Sequence, residues 1–115
     1  GVYASRNTEQ MRILADAMQY MREHYAESIS LNDVGRAVHR NASTLRKLFR
    51  EQLGVSFTER LNQIRIEASE QLLKQPDLSL AQIAVSVGFY DQSHFGKVFR
   101  AMTGHTPAAY RRKIL

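Results

Sequence analysis

Two stretches of this chain repeat one another residue by residue, and that repeat restricts the possible folds more than any other feature. Ser30-Leu31 matches Ser79-Leu80 at an offset of 49, and Val34 matches Ile83 at the same offset. Farther along the offset becomes 50. Ser43, Leu45, Lys47, Leu48, Phe49, Arg50, Gly54 and Ser56 match Ser93, Phe95, Lys97, Val98, Phe99, Arg100, Gly104 and Thr106. The change implies one additional residue in the turn of the second copy. Generic amphipathic helices agree in polarity, but not in Lys, Phe, Arg and Gly at fixed spacing. Each copy reads as a short helix, a tight turn and a second helix, the helix-turn-helix arrangement. Gly88 suits a sharp reversal in the second copy, and His39 holds the comparable place in the first. One such unit has too little core to fold alone, so flanking helices must complete it.

The rest of the pattern is helical. Proline occurs only at 76 and 107, and apolar residues recur at helical spacing almost throughout. Met11, Leu14, Met18, Met21 and Tyr25 mark the packed stripe of a first helix expected from Glu9 to Ala26. A methionine stripe can serve as a soft ligand surface, but core packing is the ordinary use of one. Ser30-Leu-Asn-Asp33 is a capping box opening a short second helix. A third runs from Ala42 to Leu53 and stops at Gly54. Ser56-Phe-Thr-Glu59 opens the connector, expected to reach Lys74, with Phe57, Leu61, Ile64, Ala68 and Leu72 on one side and Ile66 and Leu73 nearly opposite. At 1.5 Å per residue it spans about 27 Å, comparable to the ~34 Å between successive major-groove faces of a duplex. Ser79-Leu-Ala-Gln82 opens a fifth helix to Val87, and a sixth runs from Gln92 to Thr103 before Gly104. Thr106-Pro107 begins a short basic seventh. The expectation is an all-α chain of about seven helices, two helix-turn-helix subdomains joined by a long connector helix. Its parts are a tail over 1–8, a first subdomain over 9–55, the connector over 56–75 and a second subdomain over 76–115.

Successive helical residues lie about 100° apart, so Ser43, Arg46, Lys47 and Arg50 share one sector of roughly 100°. Leu45, Leu48, Phe49 and Gln52 fall opposite. The sixth helix repeats this, with Ser93, Gly96, Lys97 and Arg100 outward and Phe95, Val98, Phe99 and Met102 inward. Between Arg40 and Arg50 there are four basic residues and no acidic one. A solvated face usually mixes signs, because opposite charges at i, i+4 stabilise a helix. Sixteen Lys and Arg against eleven Asp and Glu give the chain a formal charge of +5, suited to a polyanionic partner. Gln92, Ser93 and His94 occupy the first turn of the sixth helix, the part of a recognition helix that reaches base edges.

Other classes fit poorly. With no cysteine there is no disulfide, no Cys-ligated zinc and no thiol nucleophile. His24, His39, His94 and His105 are scattered, and none forms the i, i+4 pair of a zinc-binding helix. No acid, base and nucleophile cluster, so no enzyme, cofactor or metal is expected. No apolar run is long enough to cross a bilayer, and no signal-peptide pattern opens the chain. The first residue is Gly, as expected of a fragment of a longer protein. RNA is disfavoured because its A-form major groove is too narrow for a helix.

The stretch Ile83-Ala84, Val87-Gly88-Phe89, Asp91-Gln92-Ser93-His94-Phe95, Phe99-Arg100, Gly104, Thr106-Pro107 and Tyr110-Arg111 resembles the signature of the AraC/XylS family of bacterial transcription regulators. The likeness covers about residues 9 to 113, and Leu45, Phe49 and Gly54 of the first copy also fit. It implies seven helices, with the third and sixth inserted into neighbouring major-groove segments of double-stranded DNA. It places Ser43, Arg46, Lys47, Gln92, Ser93, His94 and Lys97 toward bases. Arg40, Asn41, Thr44, Arg50, Gly96 and Arg100 are then expected against phosphate or either. The resemblance further implies a cytoplasmic regulator, a separate effector-binding or dimerisation domain, and action on RNA polymerase.

Overall fold

The computed structural model describes residues 2–115, with side chains from Asn7 onward. Among the described residues the chain forms seven α-helices and no strand: α1 Val2–His24, α2 Leu31–Val38, α3 Ala42–Leu48, α4 Phe57–Leu72, α5 Leu80–Ser86, α6 Gln92–Thr103 and α7 Pro107–Ile114. A π-helical turn, Phe49–Leu53, continues α3. The all-α class and the helix order agree with the sequence pattern.

Local chemistry sets the helix starts. The Ser30 hydroxyl accepts from the Asp33 amide at 3.1 Å while the Asp33 carboxylate accepts from the Ser30 amide at 2.7 Å. The Ser30 amide, and with it the Ser30 hydroxyl, donate to the Asp33 carboxylate and hold it below its ordinary pKa. Ser79 and Gln82 make the same reciprocal pair at 3.0 and 2.8 Å. Asn41, Asp91 and Thr106 cap α3, α6 and α7 through their side-chain oxygens. Each satisfies an amide that the first helical turn leaves without a partner. Gly54 and Gly104 end their helices in the left-handed region, at φ 71° and 81°.

Several boundaries differ from expectation. The chain over 2–8, expected as a tail, is helical, since neither Gly nor Pro interrupts residues 2–34. α1 ends at His24, so Tyr25 and Ala26 lie beyond it. Its packed residues are Ile13, Ala17, Met18 and Met21, whereas Met11 is 60% exposed. Ile13, Ala17 and Met21 recur every four residues and define the covered side. The π-helical turn advances fewer degrees per residue, so Gln52, expected inward, drifts to an exposed position. Met102, near the end of α6, is also 39% exposed. α4 ends at Leu72 because the backbone tightens there: Lys74 donates to Gln71 and Gln75 to Leu72, ahead of Pro76. α5 ends one residue early, at Ser86.

The chain divides into two compact units. One takes the chain through His24 together with Ile29–Arg60; the other takes Tyr25–Ser28 together with Leu61–Leu115. The connector expected as a part of its own is thus divided between them. In the first unit Ile13, Ala17, Met18, Met21, Val34, Leu45, Leu48 and Phe49 are buried. The core of the second unit is Ile66, Leu73, Ile83, Ala84, Val87, Phe89, Phe95 and Phe99. Phe89, Phe95, Phe99 and Tyr110 follow one another at ring separations of 5.4–5.6 Å.

One charged side chain is built into the second unit. Arg65 is only 9% exposed. Its Nε donates to the Tyr25 carbonyl at 2.8 Å and its Nη2 to the Glu27 carbonyl at 3.0 Å. The guanidinium also lies 5.8 Å from the centre of the Phe89 ring. Beside it Gly88 turns at φ 104°, where an added Cβ would come within 2.6 Å of the Tyr25 carbonyl oxygen and 2.8 Å of Arg65 Nε. The turn therefore requires glycine on two grounds, backbone conformation and space. Burial lowers the Arg65 pKa from its ordinary value, but a guanidinium stays charged. Replacing Arg65 with Met keeps the stem and removes the donors. That change is expected to destabilise the fold by about 1.5–3 kcal/mol, and Arg65→Lys should recover part of it. Thermal melting checks this: a Met variant melting with the parent protein would contradict the account.

Candidate nucleic-acid interface

The second helix of each helix-turn-helix copy, α3 with its π-helical continuation and α6, is held by an apolar pair four residues apart. Leu45 and Phe49 in the first unit, and Phe95 and Phe99 in the second, are each 0% exposed. A helix anchored so tightly along one side must present the other to solvent.

On the outward side of α3, Ser43, Arg46, Lys47 and Arg50 are exposed and line one shallow surface depression of about 270 Å³, with Glu51 beside them. On α6, Gln92, Ser93, His94, Lys97 and Arg100 are exposed and Gly96 is half-buried. Among the described residues, Arg46, Lys47, Arg50, Lys97 and Arg100 form no ion pair. Some cations elsewhere are committed. Arg36 pairs with Asp33, and Arg111 donates to the carbonyls of Leu73 and Gln75 at 3.2 and 3.1 Å.

Three residues expected near phosphate also do structural work. Arg40 donates to Glu9 at 3.1 Å and to the His39 carbonyl at 2.9 Å, using two of its five N–H groups. Asn41 accepts from the Thr44 amide at 2.8 Å as the α3 cap, and Thr44 is half-buried. The His94 amide is likewise tied to Asp91 at 2.8 Å. The His94 ring sets against the edge of Phe89 at 5.3 Å, which steadies it while it stays exposed.

The structure also locates the additional residue of the second turn. Arg40 and Phe89 each donate to the carbonyl five residues back, Gly35 and Ala84, at 2.9 and 3.0 Å, so the offset is still 49 there. The caps Asn41 and Asp91 that follow are offset by 50. The inserted residue is Tyr90, which is 90% exposed. The change of offset announced an insertion but not which residue it was. Among the described residues no group of His, Cys, Asp or Glu is arranged to hold a metal ion, and no helix is long and apolar enough to cross a membrane.

Two units of short helix, left-handed turn and outward cationic helix define a tandem helix-turn-helix domain. The helix-turn-helix domain family matches residues 34–113. Over 90 residues the chain is 37% identical to the Msm operon regulatory protein of Streptococcus mutans, an alignment covering 78% of this chain and 32% of that protein. The structure is similar to that of a transcriptional regulator from Chromobacterium violaceum with an AraC-type DNA-binding domain. The TM-score is 0.85 at 26% identity, covering 92% of this chain and 95% of that one. It is also similar to the DNA-binding domain of AdpA, solved with a target DNA, at a TM-score of 0.80 and 26% identity, covering 87% of this chain and 90% of that one. The chain belongs to the AraC/XylS family of helix-turn-helix DNA-binding domains. It spans about a third of the length of the curated relatives it matches. Domains of this family are not catalytic.

Gly96 tests whether the α6 surface is shaped for a partner. A Cβ added there would meet nothing within 4 Å, so internal packing does not explain the glycine. Glycine inside a helix costs roughly 0.5–1 kcal/mol relative to alanine. Gly96→Ala is therefore expected to raise the melting temperature by a few degrees and to weaken duplex binding. Equal duplex binding by the alanine variant would show that nothing approaches closely at this position.

Proposed function

We propose that the chain is the sequence-reading part of a cytoplasmic transcription regulator, and that one copy lays α3 and α6 into adjacent major-groove segments of double-stranded DNA. The observation that carries this reading is the pair of outward helix faces, each with exposed unpaired cations opposite a fully buried anchor. Cations without internal partners are poised to exchange counterions for phosphates. The AdpA domain, with a similar fold, was solved with a target DNA, which supports duplex binding by this chain. Because the two reading helices of one chain differ in sequence, the site should be asymmetric and need no palindrome.

The side chains divide by chemistry. Arg46 and Lys47 suit guanine and Gln92 suits adenine, while Ser43, Ser93 and His94 are more permissive readers. Arg50 and Arg100, with Arg40, Asn41 and Thr44 near the start of α3, suit phosphate. Lys97 faces the duplex from the second copy, where glycine replaces the counterpart of Arg46. The first unit then carries the sharper base preference, and the second contributes more backbone affinity. A separate effector-binding or dimerisation domain, and contact with RNA polymerase, complete the regulator in this proposal.

The test uses a duplex selected from a random pool, profiled with every single-base substitution. Arg46→Ala should relax preference at one or two base pairs, where a bidentate contact is worth about 1–3 kcal/mol of discrimination. Lys97→Ala should weaken all duplexes evenly and lower the salt slope by about one. Loss of base preference in Lys97→Ala alone would reverse the assignment. A nearly flat salt dependence of the parent chain would count against duplex binding itself.

A further inference from the structure

We propose that Tyr90 is an additional DNA contact, its phenol hydroxyl donating to a backbone phosphate at the start of α6. This rests on the duplex-binding reading above. Both neighbours of Tyr90 are fixed. Phe89 is 3% exposed, with its amide bound to the Ala84 carbonyl, and Asp91 is engaged as the α6 cap. The backbone at Tyr90 is thereby pinned, while its side chain is 90% exposed. Single exposed apolar residues are ordinary on a protein surface, and Met11 and Val85 are 60% and 62% exposed. Tyr90 differs in being the one residue by which the second turn exceeds the first, so the turn can close without it, as the first turn does. It also adjoins Gln92, Ser93 and His94, the exposed first turn of α6.

Its place and chemistry favour the backbone over a base. Tyr90 precedes the cap, outside the turn whose side chains point toward base edges, and a phenol is a strong neutral donor that phosphate oxygens accept. A neutral contact adds affinity without releasing a counterion, which separates it from the lysine and arginine contacts. The second copy has glycine where the first has Arg46, and the tyrosine supplies that helix with a further anchor.

The experiment measures affinity of the parent chain, Tyr90→Phe, Tyr90→Ala and, as a control, Met11→Ala on the selected duplex and its single-base variants, over a range of salt. Tyr90→Phe and Tyr90→Ala should melt with the parent protein and bind every duplex about tenfold more weakly. The slope with salt should be unchanged, and Met11→Ala should bind as the parent does. Parent-like affinity of Tyr90→Ala would overturn the inference while leaving duplex binding intact, as would a loss confined to one base pair. A parent chain that failed to discriminate among duplexes would overturn the reading beneath it.

Discussion

Leu45 with Phe49, and Phe95 with Phe99, are the contacts on which each unit depends. Each pair lies one helical turn apart and is withdrawn completely from solvent. Burying such a side chain stabilises a fold by about 1.5–3 kcal/mol, a large contribution in cores this small. Anchoring also fixes the rotation of the helix about its axis. Once Leu45 and Phe49 are inside, Ser43, Arg46, Lys47 and Arg50 have only the outside left, and the same holds for Gln92, Ser93, Lys97 and Arg100 around Phe95 and Phe99. Core packing and the interface are two consequences of one periodicity.

The two units reach this geometry by different turns. In the first, His39 adopts the left-handed conformation at φ 58°, which costs a non-glycine residue roughly 1–2 kcal/mol. The chain then folds so closely over α2 that a Cβ at Gly35 would sit 2.5 Å from the Arg40 carbonyl oxygen. In the second, the glycine is at the turn itself, packed against Arg65, and alanine at 84 takes the place of Gly35. Tyr90 is then accommodated between a buried phenylalanine and a cap. The two copies share their anchor and cap positions and differ in their turns.

What was legible in the residues is what local chemistry decides. The reciprocal caps at Ser30 and Ser79, the bounds of α6 and the left-handed ends at Gly54 and Gly104 depend on neighbours within a few positions. Contacts between distant segments were not legible. Arg65 looks like any arginine on an amphipathic helix, and its burial depends on carbonyls about 40 residues away. Arg40 meets Glu9 across 31 positions, and no spacing rule reveals that. The π-helical turn after Leu48 has no marker in composition, yet it moves Gln52 to the surface. The charged faces themselves were legible, because the buried residues between them constrain their direction.

In the proposed mode a single chain reads duplex DNA with two like helices, each turned outward by its buried anchor. Footprinting of the monomeric chain on its selected site tests this most directly. Two protected segments are expected, one helical turn of the duplex apart, with the protection at the α3 end lost in a variant carrying Arg46→Ala, Lys47→Ala and Arg50→Ala. Protection of a single groove segment by the parent chain would contradict this mode.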